Sequence, residues 1–332
     1  MKYLCTLLLI FLLLGNCTQT KKDDSGKESG MALLALTSAN TNAKQNVNIT
    51  FQLKLNETEM SCGTDSYILP AGQTVKLRDM RVYLSSISLL SSDDKEVPLQ
   101  LDNTDFQYNG AEGQLALLDF ADNTGSCTGS SFNTTAATNR TLSGKVAAGV
   151  YTGIKFTIGV PEKLNHLDKD KTTTPTLLQD GKNPGMQWNW TLGYKFLKLE
   201  LQASDMALNM HLGSTSCSSD SSGTISCKNA YRSEFLIQAG KTINLSETKV
   251  SIQLEKLFTT DSLPQTSFSL TKALSCMPIG TPTGSSGTVA ECSPLIKNFG
   301  LVPGNASGAT ANTLDTAGSV DSSTRVELFK IQ

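Results

Sequence analysis

The chain has 332 residues, with 28 Lys and Arg against 30 Asp and Glu and a formal net charge of −2. Its basic residues are scattered and no basic stripe carries interleaved aromatics, which excludes the electrostatic footprint of a nucleic-acid-binding protein. Two histidines and two tryptophans occur in the whole sequence, so a site built from imidazole has few candidates.

The N-terminus carries Lys2 and then the apolar run LCTLLLIFLLL at residues 4–14. That run is too short for a spanning helix and right for the apolar region of a signal peptide. It ends in Leu14-Gly15-Asn16-Cys17, which resembles a bacterial lipobox, with Asn16 departing from the small residue usual before the cysteine. The expected organisation is a signal peptide over 1–16, then a lipidated Cys17 and polar tether over 17–40. One domain over 41–332 follows. Acyl chains on Cys17 would hold the protein on a membrane without spanning it. The location that follows is the periplasm or cell surface, on the outer membrane.

Downstream, short alternating runs rich in Val, Ile, Thr, Phe and Tyr are separated by Gly, Ser, Asn and Asp clusters, the pattern of β-strands and turns. The pattern predicts strands at 47–55, 75–90 (broken near Arg81), 97–102, 115–120, 144–146, 153–160, 194–201, 207–212, 232–237, 242–244, 249–254 and 325–331. Helical turns are expected at 256–262 and 294–299 and long loops at 282–289 and 303–323. No amphipathic helix of normal length stands out. The fold class is all-β: a single antiparallel β-sandwich with long loops and disulfides.

Setting aside Cys5 in the leader and Cys17, six cysteines remain: Cys62, Cys127, Cys217, Cys227, Cys276 and Cys292. An even number in an exported chain implies disulfides. Local pairs Cys217–Cys227 and Cys276–Cys292 would close short Ser/Gly-rich loops and leave Cys62–Cys127 as a long-range staple.

His166 and His211 bracket Trp188 and Trp190 within one stretch. The hairpin FLKLEL (196–201) and MALNMHL (206–212) is expected to turn at residues 202–205, so that Leu201 faces Met206, Leu199 faces Leu208, Leu197 faces Met210 and Phe196 faces His211. Side chains alternate between faces, so Leu197, Leu199, Leu201, Leu208, Met210 and Leu212 form the core side. His211 falls on the other side with Asn209, Phe196 and Lys198. An unbroken strand would add Tyr194, Trp190 and Trp188 to that side, with Gly193 a candidate bulge. The loop carrying His166 must then cross this face to meet His211.

The ordered motifs LLDFADNTGSC (117–127), KVAAGVYTGIKFTIGVPEKLNH (145–166), MQWNWTLGYKFLKLEL (186–201) and HLGSTSC (211–217) resemble the MbnP-like family, also described as four-Cys members of a metallo-mystery pair. RDMRVYLSSISLL (78–90) and ECSPLIKNFGL (291–301) fit its terminal patterns. Departures are Glu162 where an aromatic usually follows the proline, Gln187 before the W-x-W, and six cysteines in place of four. The resemblance implies an exported copper-binding protein whose partner, a dihaem cytochrome c peroxidase-like enzyme of the MbnH type, oxidises one tryptophan to kynurenine. By matching motifs, His166 and His211 would be copper ligands and Trp188 or Trp190 the modified residue.

Two imidazoles suffice for Cu(I), whereas Cu(II) wants about four N/O donors. Asp168, two residues after His166, could supply an oxygen. Met186, Met206 and Met210 are further thioether candidates. Nothing in the sequence marks the chain as an enzyme: G-x-S-x-G, H-E-x-x-H and C-x-x-C-H are all absent. The alternative reading is a metal-free surface lipoprotein that binds a protein or glycan through its loops.

Overall fold

The structure is a computed structural model that describes residues 43–63, 65–128, 134–204, 206–259, 274–276, 289–303 and 319–332. The expected signal peptide, Cys17 and tether lie outside these residues, as do most of the expected loops at 282–289 and 303–323.

Two sheets form a β-sandwich. In the first, Lys44–Leu55 lies between Lys249–Gln253 and Thr141–Ala147, with Phe329–Ile331 and Gln100–Leu101 outside them. Along Lys44–Leu55 the residues Val47, Ile49, Phe51, Leu53 and Leu55 are buried alternately, as a strand with one face on a core requires. The second sheet runs Ser233–Gln238, Tyr151–Ile158, Thr74–Ser91, Leu197–Ala203, Met206–Leu212 and Leu274–Cys276. Strand Gly113–Asp119 pairs along the opposite edge of Thr74–Ser91. Phe156 of this sheet makes edge-on ring contacts with Phe51 at 6.1 Å and Phe329 at 4.9 Å, both from the first sheet. Among the described residues pairing is antiparallel except for two parallel pairs, Lys44–Leu55 with Lys249–Gln253 and Met206–Leu212 with Leu274–Cys276.

Several boundaries differ from expectation for local reasons. Thr74–Ser91 is not broken at Arg81. Arg81 is neutralised by Asp79 two residues before it, through bonds of 2.9 and 2.6 Å, so a charge inside a sheet needs no interruption. The strand instead absorbs register shifts opposite Glu200/Leu201 and near Ser86, whose φ is +50°. Residues 242–244 are not a strand. Asn244 takes the Ser246 N–H and hydroxyl on its side-chain oxygen and closes a turn, a habit that competes with ladder pairing.

Of 325–331 only Phe329–Ile331 is extended, a 3-10 turn at Ser322–Thr324 preceding it. The helical turns prove to be a 3-10 segment at Leu254–Phe258 and a ten-residue helix at Val289–Asn298 that contains Pro294.

The hairpin register is two residues tighter than expected. Leu201 faces Leu208, Leu199 faces Met210, Leu197 faces Leu212 and Lys198 faces His211. The connection between the strand ends Ala203 and Met206 is two residues rather than four, and Ser204 has φ +48° to make it. Because the shift is even, every side chain keeps its predicted face. The disulfides join Cys62–Cys127, Cys217–Cys227 and Cys276–Cys292, the pairing suggested by the spacings.

Candidate metal centre

The face opposite the leucines is polar but not exposed. Strand register places Asp119, Arg81, Lys198 and His211 directly opposite one another across four adjacent strands, with Asp79 and Glu200 in the neighbouring row. All six are buried, Arg81 and Asp79 to 0% exposure and His211 to 6%. The excursion at 161–195 covers them: Pro184 and Gly185 carbonyls accept from Arg81 Nη1 and Lys195 Nζ, and Leu177 and Leu178 carbonyls accept from the hydroxyls of Tyr83 and Tyr194. The His166-bearing segment thus crosses this face as expected, but His166 and His211 engage different partners, the Trp190 carbonyl and Glu200.

Buried charge of this density survives only by mutual pairing. Asp79 accepts from Arg81 and from Lys198 at 2.7 Å. Glu200 takes His211 Nε2 at 2.8 Å and lies 3.4 Å from Lys198. Burial pushes the Glu200 carboxyl up, but the His211 bond and the Lys198 charge outweigh it and hold the group below its ordinary range. Asp119 is pushed up to about 7, chiefly by burial and against the attraction of Arg81.

His211 is held in one tautomer. Glu200, ionised, can only accept, so the His211 Nε2 carries the hydrogen and Nδ1 carries the lone pair. That Nδ1 is buried and has no hydrogen-bond partner. Burial, opposed by Glu200, lowers the imidazole pKa and keeps the ring neutral.

His166 is held the opposite way round. Its Nδ1 lies 2.8 Å from the Trp190 carbonyl, which can only accept, so Nε2 bears the lone pair. Around Nε2 stand Asn165 Nδ2 at 3.1 Å, Cys227 Sγ at 3.3 Å and Glu162 Oε1 at 3.8 Å. The buried Asn165 amide is itself fixed by the Tyr194 N–H on Oδ1. Each imidazole is thus anchored through one nitrogen, the arrangement that orients metal-binding histidines; the other nitrogen is partnerless in His211 and accepts from the Asn165 amide in His166.

Trp188 and Trp190 lie on and just beyond Gln187–Asn189, which pairs with Gly193–Tyr194 across a register shift. Trp190 is 53% exposed. Trp188 is half-buried, with a buried Nε1 that has no partner. Its ring packs on Gly213, two residues past His211, and Lys195 Nζ stands 6.0 Å from its centroid. Burial, reinforced by Lys198, brings the Lys195 ammonium down to about 8.

A cleft of about 840 Å³ is lined by His166, Asp168, Trp188 and Trp190. Asp168 reaches this cleft, but one carboxylate oxygen takes the Asp170 N–H at 3.1 Å, so it closes its own turn. Of the methionines, Met186 and Met210 are buried in the core and Met206 ends its strand at the turn. His211 is not among the cleft residues; it belongs to the charged row.

The profile of the MbnP family matches residues 44–278. The chain belongs to the MbnP family. MbnP from Methylosinus trichosporium has a similar structure, at 21% identity and a TM-score of 0.64, covering 87% of this chain and 98% of that one. No curated protein matches the sequence.

Within this family member, Lys198 was placed on the His211 face from sequence, but Glu200, Asp79 and Arg81 escaped that reading, although Glu200 alternates with leucines in KLEL and Asp79 and Arg81 alternate in RDMR. Charges at alternate positions of a strand share a face, which was a usable signal. Glu162 and Asn165 share the helical turn that His166 ends, a local signal in sequence, but nothing in the sequence marks Cys227 as a neighbour of His166, because docking of the disulfide hairpin brings it there.

Proposed function

We propose that this chain is an exported, lipid-anchored copper-binding protein of the periplasm or cell surface, with His166 and His211 as ligands. In this reading a dihaem cytochrome c peroxidase-like enzyme of the MbnH type completes the site by oxidising Trp188 or Trp190 to kynurenine. The observation that carries it is the buried, partnerless Nδ1 of His211. A lone pair left unpaired inside a protein costs about 1–3 kcal/mol, and a metal ion would recover that cost.

The donor chemistry fits copper. Imidazole suits Cu(I) and Cu(II) alike, and Glu162 beside His166 Nε2 adds a carboxylate oxygen. Copper, once bound, would supply a redox-active ion held by nitrogen donors. The residues of this chain do the orienting: the Trp190 carbonyl fixes the His166 ring and Glu200 fixes the His211 ring. Trp188 is favoured as the modified residue, since the benzo edge of its ring packs on Gly213, just past the strand end that carries His211, and its Nε1 is buried without a partner. Oxidation of its indole by two peroxide equivalents opens the C2–C3 bond and releases two waters. Hydrolysis then releases C2 as formate and leaves an aniline nitrogen and a ketone.

Peptide mapping of protein produced with its native partner should show the modification in the 186–195 segment, and Trp188→Phe should abolish it. Copper titration of that material should weaken by at least about tenfold in His166→Ala and in His211→Ala. Wild-type affinity in both variants removes the site and favours the metal-free surface lipoprotein.

A further inference from the structure

The Cys217–Cys227 bridge lies against a histidine that the proposed function already uses. Cys227 Sγ is 3.3 Å from His166 Nε2. A ring nitrogen of His166 and both sulfurs lie within 4.8 Å of one another, a grouping of three potential ligand atoms. In the disulfide form the sulfurs offer no thiolate. We propose that reduction of this bridge creates a second, soft metal site of two thiolates and one imidazole, selective for Cu(I).

Three features support a built site rather than a chance contact. The cysteines are directly opposed in the hairpin Thr215–Ser219/Ile225–Asn229, and the hairpin backbone holds them together after the sulfur bond is gone. The imidazole is already in the ligating tautomer, because the Trp190 carbonyl claims the Nδ1 hydrogen. Access is also asymmetric. Cys217 and Cys227 are both half-buried between exposed Ser216, Ser218, Ser226 and Lys228, whereas Cys62 and Cys127 are 1% and 0% exposed, and in the third bridge Cys292 is half-buried but Cys276 is 1% exposed. A thiol reductant therefore reaches this bridge first, exposed disulfides being the labile ones.

The step balances with an external dithiol as reductant. Two electrons and two protons pass from the dithiol to the S–S bond, giving two Cys thiols and an oxidised dithiol. Binding of one Cu(I) then releases the two thiol protons as Cu–S bonds form, with His166 Nε2 as third donor. Thiolates select Cu(I) and, among divalent ions, zinc. The site shares His166 with the proposed function but uses neither His211 nor an oxidised tryptophan.

The test uses the full chain, reduced anaerobically with a phosphine and desalted, then titrated with Cu(I) against bicinchoninate. Limited reduction should label Cys217 and Cys227 with iodoacetamide before the other four cysteines. The reduced chain should bind one Cu(I) at least about a hundredfold more tightly than the oxidised chain, with sulfur scattering at the copper absorption edge. His166→Ala should weaken the reduced form, while His211→Ala should leave it unchanged and impair the oxidised, tryptophan-modified form alone. That contrast separates failure of this site from failure of the proposed function. Equal affinity before and after reduction, or full affinity in the reduced Cys217→Ser/Cys227→Ser variant, overturns the proposal. Should the serine variant not fold, reduced wild type capped by iodoacetamide replaces it, and undiminished Cu(I) affinity after capping overturns the proposal equally.

Discussion

Gly213 is where the position of Trp188 is decided, and Gly213→Ala tests it. An ideal Cβ at this residue would lie 2.4 Å from Cζ3 and 2.7 Å from Cη2 of Trp188, and 2.8 Å from the Tyr194 carbonyl oxygen. Carbon atoms pack at about 3.5–4.0 Å, so the indole must retreat by roughly 1 Å. The Tyr194 carbonyl cannot yield as readily, because its strand is tied through the Phe196 N–H to the Leu212 carbonyl at 2.6 Å and through the Tyr194 N–H to Asn165. Overpacking of this kind costs about 1–3 kcal/mol, and in a domain of this size each kcal/mol lowers the melting temperature by about 2–4 °C.

In a Trp190→Phe background, fluorescence reports Trp188 alone. Thermal unfolding should shift downward and the native emission should move to the red as the ring leaves its half-buried seat. Unchanged melting temperature together with unchanged emission would refute the packing assigned to Trp188.

Asp119 gives a pH prediction. Its folded pKa of about 7 exceeds the ordinary carboxylate value of about 3.9, so the folded state binds the proton more tightly than the unfolded one. The stability that this adds is complete below about pH 4 and is lost as pH rises through 7. The stability of wild type relative to Asp119→Asn, from urea unfolding, should therefore fall across that window; a flat or rising difference is the opposing result. On the proposed function, Glu200→Gln should free the His211 tautomer and weaken copper binding by about 10–100-fold in isothermal titration, with the fold kept by circular dichroism. Removing Cys62–Cys127, whose sequence separation is 65, by a double alanine substitution should cost roughly 4 kcal/mol in urea unfolding.

How far these residues could be read from sequence depended on the range of the interaction. Alternation put His211 on the correct face even though the turn was misjudged, because an error of two residues preserves parity. It could not say that this face was buried, since the cover comes from 161–195, a segment with little periodic pattern. The hairpin Thr215–Ser219/Ile225–Asn229 was missed because Ser, Asn, Lys and Cys carry no strand signature; its strands show themselves only once the disulfide is drawn. Arg81 was read as an interruption because a charge in an apolar run looks like one until its Asp79 partner is placed.

The parallel pairing of Lys44–Leu55 with Lys249–Gln253 bears on the order in which the protein can be made. Lys44–Leu55 finds this neighbour only about 200 residues later along the chain, and the strand beyond it, Phe329–Ile331, follows later still. Until then, the edge of Lys44–Leu55 toward that neighbour is an open template for the wrong partner. Closure of this sheet must await synthesis of residues 249–253 and 329–331, and long-range pairing of this kind is slow. Such a delay leaves the growing chain with an unsatisfied strand edge for much of its synthesis.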